Sequence, residues 1–328
     1  MSSPSASELL NTNSLEALYP KLERLGVGPG WNKPTPSLWK APRPAFVPAH
    51  WDYERAKAAL TAAGDLISTE LAERRNLILF NPAPGNNYPT VRTLVAAYQM
   101  IMPGEWARSH RHTPNALRLV LDAEPGTYTV VDGVKIAMMP GDVLLTPNWS
   151  SHGHGNEGPQ PGFWIDFLDV PLVQLLEPMF FDPLAEDEAQ HEAFIEPPPH
   201  RKDRMVFPVA ETRQRLEEAA GDPAGLYGRQ VELGNPALDT VGLHMMALQP
   251  RVRTATCRTT ANNIYAVVEG SGATTVDGQR FTWRRGDVIA APAWLPHFHE
   301  AEENAILFRV TDEPVMQRLG FLRTARSA

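Results

Sequence analysis

The chain repeats itself. Residues 98–123, YQMIMPGEWARSHRHTPNALRLVLDA, align without a gap on residues 245–270, MMALQPRVRTATCRTTANNIYAVVEG. Residues 139–154, MPGDVLLTPNWSSHGH, align on residues 284–299, RRGDVIAAPAWLPHFH. Gly141, Asp142, Pro147, Trp149, His152 and His154 thereby match Gly286, Asp287, Pro292, Trp294, His297 and His299. The spacing from Pro103 to His110 equals that from Pro250 to Cys257. Copies about 145 positions apart are too long to be solenoid units. They are two copies of one domain.

That domain is predicted to be mainly β. The runs NLILFNP, TLVAAYQMIMP, NALRLVLD, TYTVVDG, VKIAMMPGD, VLLTPNW and GFWIDFLD are short, rich in β-formers and separated by turn residues. The rhythm returns after Gly242 with LHMMALQP, NNIYAVVEG, GATTVDG, QRFTWRRGD, VIAAPAWLP and AILFRVTD. Such spacing predicts antiparallel strands in a sandwich or barrel. The 31 prolines in 328 residues agree with it, at about twice the usual ~5%, because proline breaks helices and collects at turns and strand ends.

Helices are expected outside the copies. Leu15, Leu18, Leu22 and Leu25 follow a Ser14 cap at helical spacing, with Pro20 set to kink or divide the helix. Residues 31–49 are rich in tryptophan and proline and read as an extended arm lying on a surface, such as a partner subunit's. Residues 52–75 read as helix. Between the copies lie the acidic AEDEAQHEAFIEPPPH and a helical ETRQRLEEAAG. The expected division is an N-terminal helical and extended arm over 1–85, a first β domain over 86–170, a connecting segment over 171–235, a second β domain over 236–312 and a tail over 313–328.

Composition narrows the function classes. With 43% apolar and 21% charged residues the chain can build cores. Thirty basic against 38 acidic side chains, a net charge of −8, argue against a nucleic-acid binder. The single cysteine, Cys257, excludes a disulfide scaffold or a cysteine-rich zinc site. No apolar run is long enough to span a membrane. The opening MSSPSASELLNTN has neither a basic nor an apolar signal region, so a cytoplasmic location is expected.

The histidines carry the chemistry. His110 and His112 are two apart, so on a strand both project from one face. His152 follows 40 residues after His112, a distance that can bring the chain back to a neighbouring strand. Three convergent neutral imidazoles make an open site for a divalent first-row metal. His154, two residues from His152, shares its face and is a candidate for ligand support or proton transfer. In the second copy the places of His110 and His112 are held by Cys257 and Thr259, and only His297 stays in register. That copy is expected to be metal-free, with Cys257 a small buried residue.

These residues also carry a resemblance. Gly104, five residues, then His110-Arg111-His112 resembles the first cupin motif. Gly141, five residues, Pro147, then Trp149, His152 and Asn156 resembles the second. A cupin glutamate ligand would fall four or five residues after His112, where Ala116 and Leu117 stand, so a three-histidine cupin is implied. More narrowly, PGEWARSHRHTPNALRLVL, NWSSHGHGNEG and FWIDFLDVPLV, with AERRNLILFNP, TLVAAYQ and PRPAFVPAHWDY upstream, resemble gentisate 1,2-dioxygenase and its salicylate-cleaving relatives.

The resemblance implies a bicupin, two double-stranded β-helix (jelly-roll) barrels with an N-terminal helical arm, assembled as a homo-oligomer and in this family a tetramer. It implies Fe(II) on His110, His112 and His152, and dioxygen together with an aromatic hydroxy acid as substrates. The ring would open between the carboxyl-bearing and hydroxyl-bearing carbons. Arg118 would hold the substrate carboxylate, since a guanidinium matches it bidentately. His154 would bond the phenolic oxygen, and Asp166 and Gln99 would orient substrate or partners. Arg75 is a further candidate anion contact. Val95, followed by Ala96 and Ala97, stands where relatives carry an aromatic ring, which opens space near the substrate and raises substituted salicylates beside gentisate. The charge argument agrees: three neutral ligands leave the metal's double charge uncompensated and favour an anionic chelator, and iron has the redox chemistry that zinc lacks. Other readings are a non-catalytic bicupin sensor or storage protein, and another metal-dependent cupin enzyme such as an isomerase.

Overall fold

The computed structural model describes residues 2–72, 75–184, 205–234 and 238–327; the acidic stretch 185–200 lies outside them. Residues 1–43 form a compact unit of their own. It holds α1 (Ala6–Leu10), closed by a Ser5–Glu8 capping box, and α2 (Leu15–Arg24), capped by Ser14. α2 runs on as one element through Pro20. The missing N–H removes one hydrogen bond of a helix with no buried residues, so water can serve the freed carbonyl. The arm beyond it has no regular structure, and Trp31, Leu38 and Trp39 are exposed.

Residues 44–328 form the second unit. It opens with β1 (Ala49–Trp51), α3 (Tyr53–Leu66), α4 (Thr69–Ala72) and β2 (Arg75–Ile78). The first copy follows as β3 (Val95–Ile101), β4 (Trp106–His112), β5 (Ala116–Asp122), β6 (Thr127–Val131), β7 (Val134–Ala137), β8 (Val143–Thr146), β9 (His152–Asn156) and β10 (Gly162–Leu168), then α5 (Val170–Leu176) and β11 (Phe181–Pro183). β12 (Val206–Phe207), α6 (Val209–Glu218) and β13 (Arg229–Glu232) lead into the second. That copy is β14 (Gly242–Leu248), β15 (Thr256–Thr259), β16 (Asn263–Glu269), β17 (Ser271–Val276), β18 (Gln279–Arg284), β19 (Val288–Ala291), β20 (His297–Ala301) and β21 (Ala305–Thr311), then α7 (Glu313–Arg318) and β22 (Thr324–Ser327).

Each copy is a pair of sheets, and the two pairs correspond strand for strand. The first has the order β12-β8-β5-β10-β3-β2 facing β11-β4-β9-β6-β7; the second has β1-β19-β16-β21-β14-β13 facing β18-β17-β20-β15-β22. The correspondence shows an exchange. β1 precedes the first copy but pairs with β19 of the second, and β12 precedes the second but pairs with β8 of the first. The duplicated unit therefore includes a strand–helix–strand prefix whose leading strand completes the other copy's sheet. Two glycines mark the docking points. Gly141 and Gly286 both have φ +89°; a Cβ there would lie 2.9 Å from the Val209 side chain and 2.3 Å from the Tyr53 ring respectively, so glycine lets each prefix sit down on the turn. Beside them Asp142 accepts from the Val209 N–H (2.8 Å) and Asp287 from the Tyr53 N–H (2.9 Å).

The two six-stranded sheets pack face to face. Ala96, Tyr98, Met100, Leu117, Leu119, Ile165 and Phe167 of one form a single buried cluster with Leu243, Met245, Ile264, Ala266, Phe308 and Val310 of the other, and the Phe167 and Phe308 rings meet edge-on at 5.8 Å. Reciprocal polar clamps tie the copies together. Asn115 and Asp169 of the first bond Thr240, and Asn262 and Asp312 of the second bond Thr93. Pleating then turns the alternate residues of each sheet inward, toward the facing five-stranded sheet.

Candidate metal centre

His110 and His112 leave β4 on one face, and β9, paired with β4, brings His152 directly opposite His110. One ligand nitrogen from each ring lies within 4.8 Å of the others. Among the described residues this is the one cluster of three or more histidine, cysteine or acidic side chains so arranged. The backbone sets the tautomers. Nδ1 of His110 faces the Arg108 carbonyl (3.2 Å), that of His112 the Pro114 carbonyl (2.8 Å) and that of His152 the Ser150 carbonyl (3.1 Å). A carbonyl only accepts, so each Nδ1 carries the proton and each Nε2 keeps its lone pair. Burial, then the Arg118 charge and the neighbouring imidazoles, hold His152 well below the usual histidine range, in the neutral form that ligates metals. The site is a three-histidine metal-binding cluster consistent with Fe(II).

The facing sheet supplies the polar wall. Val95, Ala97 and Gln99 alternate with core residues along β3 and share a face with Asp166 and Trp164 of β10 and Arg118 of β5. Asp166 is the hub. It accepts from Gln99 Nε2 (2.5 Å) and Trp164 Nε1 (2.9 Å) and pairs with Arg118 Nε (3.3 Å), both ion-pair side chains being 1% exposed. Arg118 Nη1 also donates to Thr146 Oγ1 (2.6 Å). His154 is buried between the walls, its ring 6.4 Å from His152 and 5.2 Å from Trp164.

One expected contact is corrected. Arg75 faces away from this site. Met100, its cross-strand partner, belongs to the core cluster on the opposite face from Gln99. The Arg75 guanidinium grips both oxygens of Glu105 (2.5 and 2.8 Å) and donates to the Ile67 carbonyl at the end of α3 (2.6 Å). It is a structural clamp, because strand parity turns it outward. Conversely, sequence reasoning passed over Trp164, Thr146 and Phe181, whose ring lies 5.3 Å from His110. Trp164 was legible in FWIDF, where it stands two residues before Asp166 and so shares its face.

The second copy shows how a site of this shape is lost. Cys257 lies opposite His297, is 1% exposed and meets the Tyr227 hydroxyl at 3.3 Å. Burial pushes its thiol up, which suits a packing role. At the place of Arg118 stands Tyr265, whose hydroxyl lies 2.8 Å from Nε2 of His297. His297 Nδ1 faces the Leu295 carbonyl (3.3 Å), so Nε2 is the acceptor, and a tyrosine proton sits where a metal would bind.

The cupin domain family matches residues 97–168 and 244–311. Gentisate 1,2 dioxygenase 1 of Aquipseudomonas alcaligenes is 33% identical over 339 residues, covering 96% of this chain and 97% of that protein. 5-Aminosalicylate 1,2-dioxygenase of a Comamonas species is 34% identical, covering 94% and 89%. Among solved structures, salicylate 1,2-dioxygenase of Pseudoaminobacter salicylatoxidans with gentisate superposes with a TM-score of 0.87 at 29% identity, covering 97% of this chain and 95% of that one. No helix among the described residues is long and apolar enough to cross a membrane.

Proposed function

The chain belongs to the gentisate and salicylate 1,2-dioxygenase family of two-copy cupin proteins, and from that premise we infer that its first copy opens the ring of a 2-hydroxybenzoate. Cleavage falls between the carboxyl-bearing and hydroxyl-bearing carbons, with both atoms of dioxygen entering the product; gentisate would give maleylpyruvate. The observation that supports this best is the pairing of a neutral three-histidine centre with a buried cation, Arg118, on the facing wall. An anionic aromatic chelator matches both.

Fe(II) held by His110, His112 and His152 would supply the redox capacity that lets dioxygen meet an electron-rich phenolate. The chain's own residues do the rest. Arg118 receives the substrate carboxylate and compensates its charge in a dry site. Asp166 fixes the guanidinium, and Gln99 and Trp164 fix Asp166, so the anion seat exists before substrate arrives. His154 takes the phenolic proton on a ring nitrogen, which strengthens the oxygen as a donor. Val95 and Ala97 leave the wall beside the ring low, which suits a substituted salicylate as well as gentisate.

Around this centre we read each sheet pair as a rolled jelly-roll barrel, catalytic over 86–170 and metal-free over 236–312. The exposed Trp31 and Trp39 of the arm suit burial against a partner subunit in a homotetramer, and a cytoplasmic location suits the reduced Cys257 and Fe(II). Anaerobic Fe(II) reconstitution and an oxygen electrode test the function. One iron per chain is expected, with one dioxygen consumed per ring for gentisate or a substituted salicylate. His110→Ala, His112→Ala and His152→Ala should each abolish uptake while the fold persists. Two tightly bound ions per chain, or no uptake with any of these acids, would refute it.

A further inference from the structure

The second copy keeps a buried charged group at the place of the first copy's Asp166. Across the six-stranded sheet of the first copy, one row of neighbours reads Ile78, Ala97, Asp166, Arg118, Leu144. The same row of the second reads Glu232, His244, Arg309, Tyr265, Ile289. An arginine replaces the acid, and a tyrosine replaces the arginine. Arg309 is 1% exposed. Its Nη2 bonds Glu313 (3.0 Å), its Nη1 reaches Asn263 (3.4 Å), and it lies 4.3 Å over the Tyr227 ring. Its Nε has no hydrogen-bond acceptor among the described residues.

A second donor stands near it. Trp283 Nε1 donates to Thr274 Oγ1 (2.9 Å), and the same oxygen lies 2.8 Å from His299 Nδ1. When Thr274 donates to Nδ1, the neutral His299 ring carries its proton on Nε2, and that nitrogen too has no hydrogen-bond partner among the described residues. The His299 ring packs edge-on against Tyr265 at 4.5 Å, and Tyr265 is the cross-strand partner of Arg309. An unpaired buried donor is costly, and native folds keep few of them. One small anion accepting from both removes the cost.

The rim agrees in sign. In the first copy Arg111 is neutralised by Asp182 at 2.6 Å. Its counterpart Arg258 lies opposite Ala325, and the Arg258 Nε has no acceptor among the described residues. Arg323 and Arg326 are exposed on the same C-terminal segment. Leu307 and Val267, two residues from Arg309 and Tyr265 on the same strands, are buried in an apolar cluster with Met246 and Trp283.

We propose that the second copy binds a small carboxylate, seated on the Arg309 Nε–H and the His299 Nε2–H. The test is anaerobic fluorine NMR of the Fe(II)-loaded full-length enzyme with trifluoroacetate. A bound resonance free of any shift or broadening by iron is expected, because the second copy holds no metal. Arg309→Met should abolish it, and His299→Phe should weaken binding at least tenfold, each with near-ultraviolet circular dichroism unchanged. A 5-fluorosalicylate arm identifies the source: an iron-free bound signal extends the site to aromatic acids, and its absence beside a trifluoroacetate signal restricts the site to small aliphatic ones. If the wild type gives no iron-free signal with either probe, or if the signal survives both substitutions, the proposal is overturned. Loss of only the iron-affected signal would count against the first-copy reading instead.

Discussion

Trp164 illustrates how much of the site hangs on a residue that touches neither metal nor predicted ligand. Its indole N–H is one of three donors on the Asp166 carboxylate, and its ring packs on His154. In Trp164→Phe the ring contact survives and the hydrogen bond does not. A buried acceptor losing one of its donors costs about 1–3 kcal/mol, and the loosened Asp166 lets Arg118 drift. Arg118 is read as holding the substrate carboxylate throughout the reaction, so the loss should fall mainly on KM, with kcat/KM down about ten- to hundredfold. Steady-state kinetics check it; an unchanged KM with a lowered kcat would place Trp164 in the chemical step instead. The metal ligands were legible in sequence because HxH and the later His152 obey strand parity whatever the rest of the chain does. Arg75 was read from the upstream resemblance, where no such pattern fixes its face. Its parity depends on where β2 begins, and a one-residue difference turns a side chain to the other face.

At the scale of elements, the apolar strands of both copies were legible, since turn residues bound them, whereas β4, β9, β15 and β20 carry too few apolar residues to read as runs. The prefix helices were legible too, but their edge strands and their equivalence were not. β1–α3 and β12–α6 share structure and partners but no sequence pattern, and the edge strands are only three and two residues long, too short for periodicity to speak. Their equivalence rests on backbone geometry at Gly141 and Gly286. Substitution there separates the two. Alanine at either is strained by the positive φ, at about 1–3 kcal/mol. At Gly286 the new methyl would also meet the Tyr53 ring at 2.3 Å, where the Gly141 methyl would meet the more yielding Val209 side chain at 2.9 Å. Gly286→Ala should therefore destabilise more than Gly141→Ala, by an additional ~1–2 kcal/mol of overpacking. Urea unfolding of the two variants checks it, and equal midpoints would mean that the Tyr53 helix end moves freely and that β1 is not a fixed part of the second sheet.

At the scale of the whole molecule, one duplication has produced two interiors with opposite uses of histidine. In the first copy the imidazoles are positioned to bind a metal; in the second His297 and His299 are buried and tied to hydroxyls. Burial holds His297 down at about 4 and His244 at about 2, and pushes His299 well below its ordinary range. For such groups the unfolded chain takes up the proton first. Their contribution to stability is complete above about pH 6.5, the unfolded value, and is lost as pH falls from there toward the folded one. For His297, 2% exposed, the fall from 6.5 to about 4 corresponds to about 3 kcal/mol. Buried Asp169 and Asp312, raised by desolvation, pull the other way, so the total slope is a mixture and a difference measurement is needed. His297→Gln keeps an acceptor for the Tyr265 hydroxyl and removes the titration. Between pH 6.5 and 4 the wild type should lose about 3 kcal/mol more than this variant, read as converging urea midpoints in metal-free protein. Parallel pH curves would show that His297 is already protonated in the native state, and that the Tyr265 hydroxyl accepts from it rather than donating.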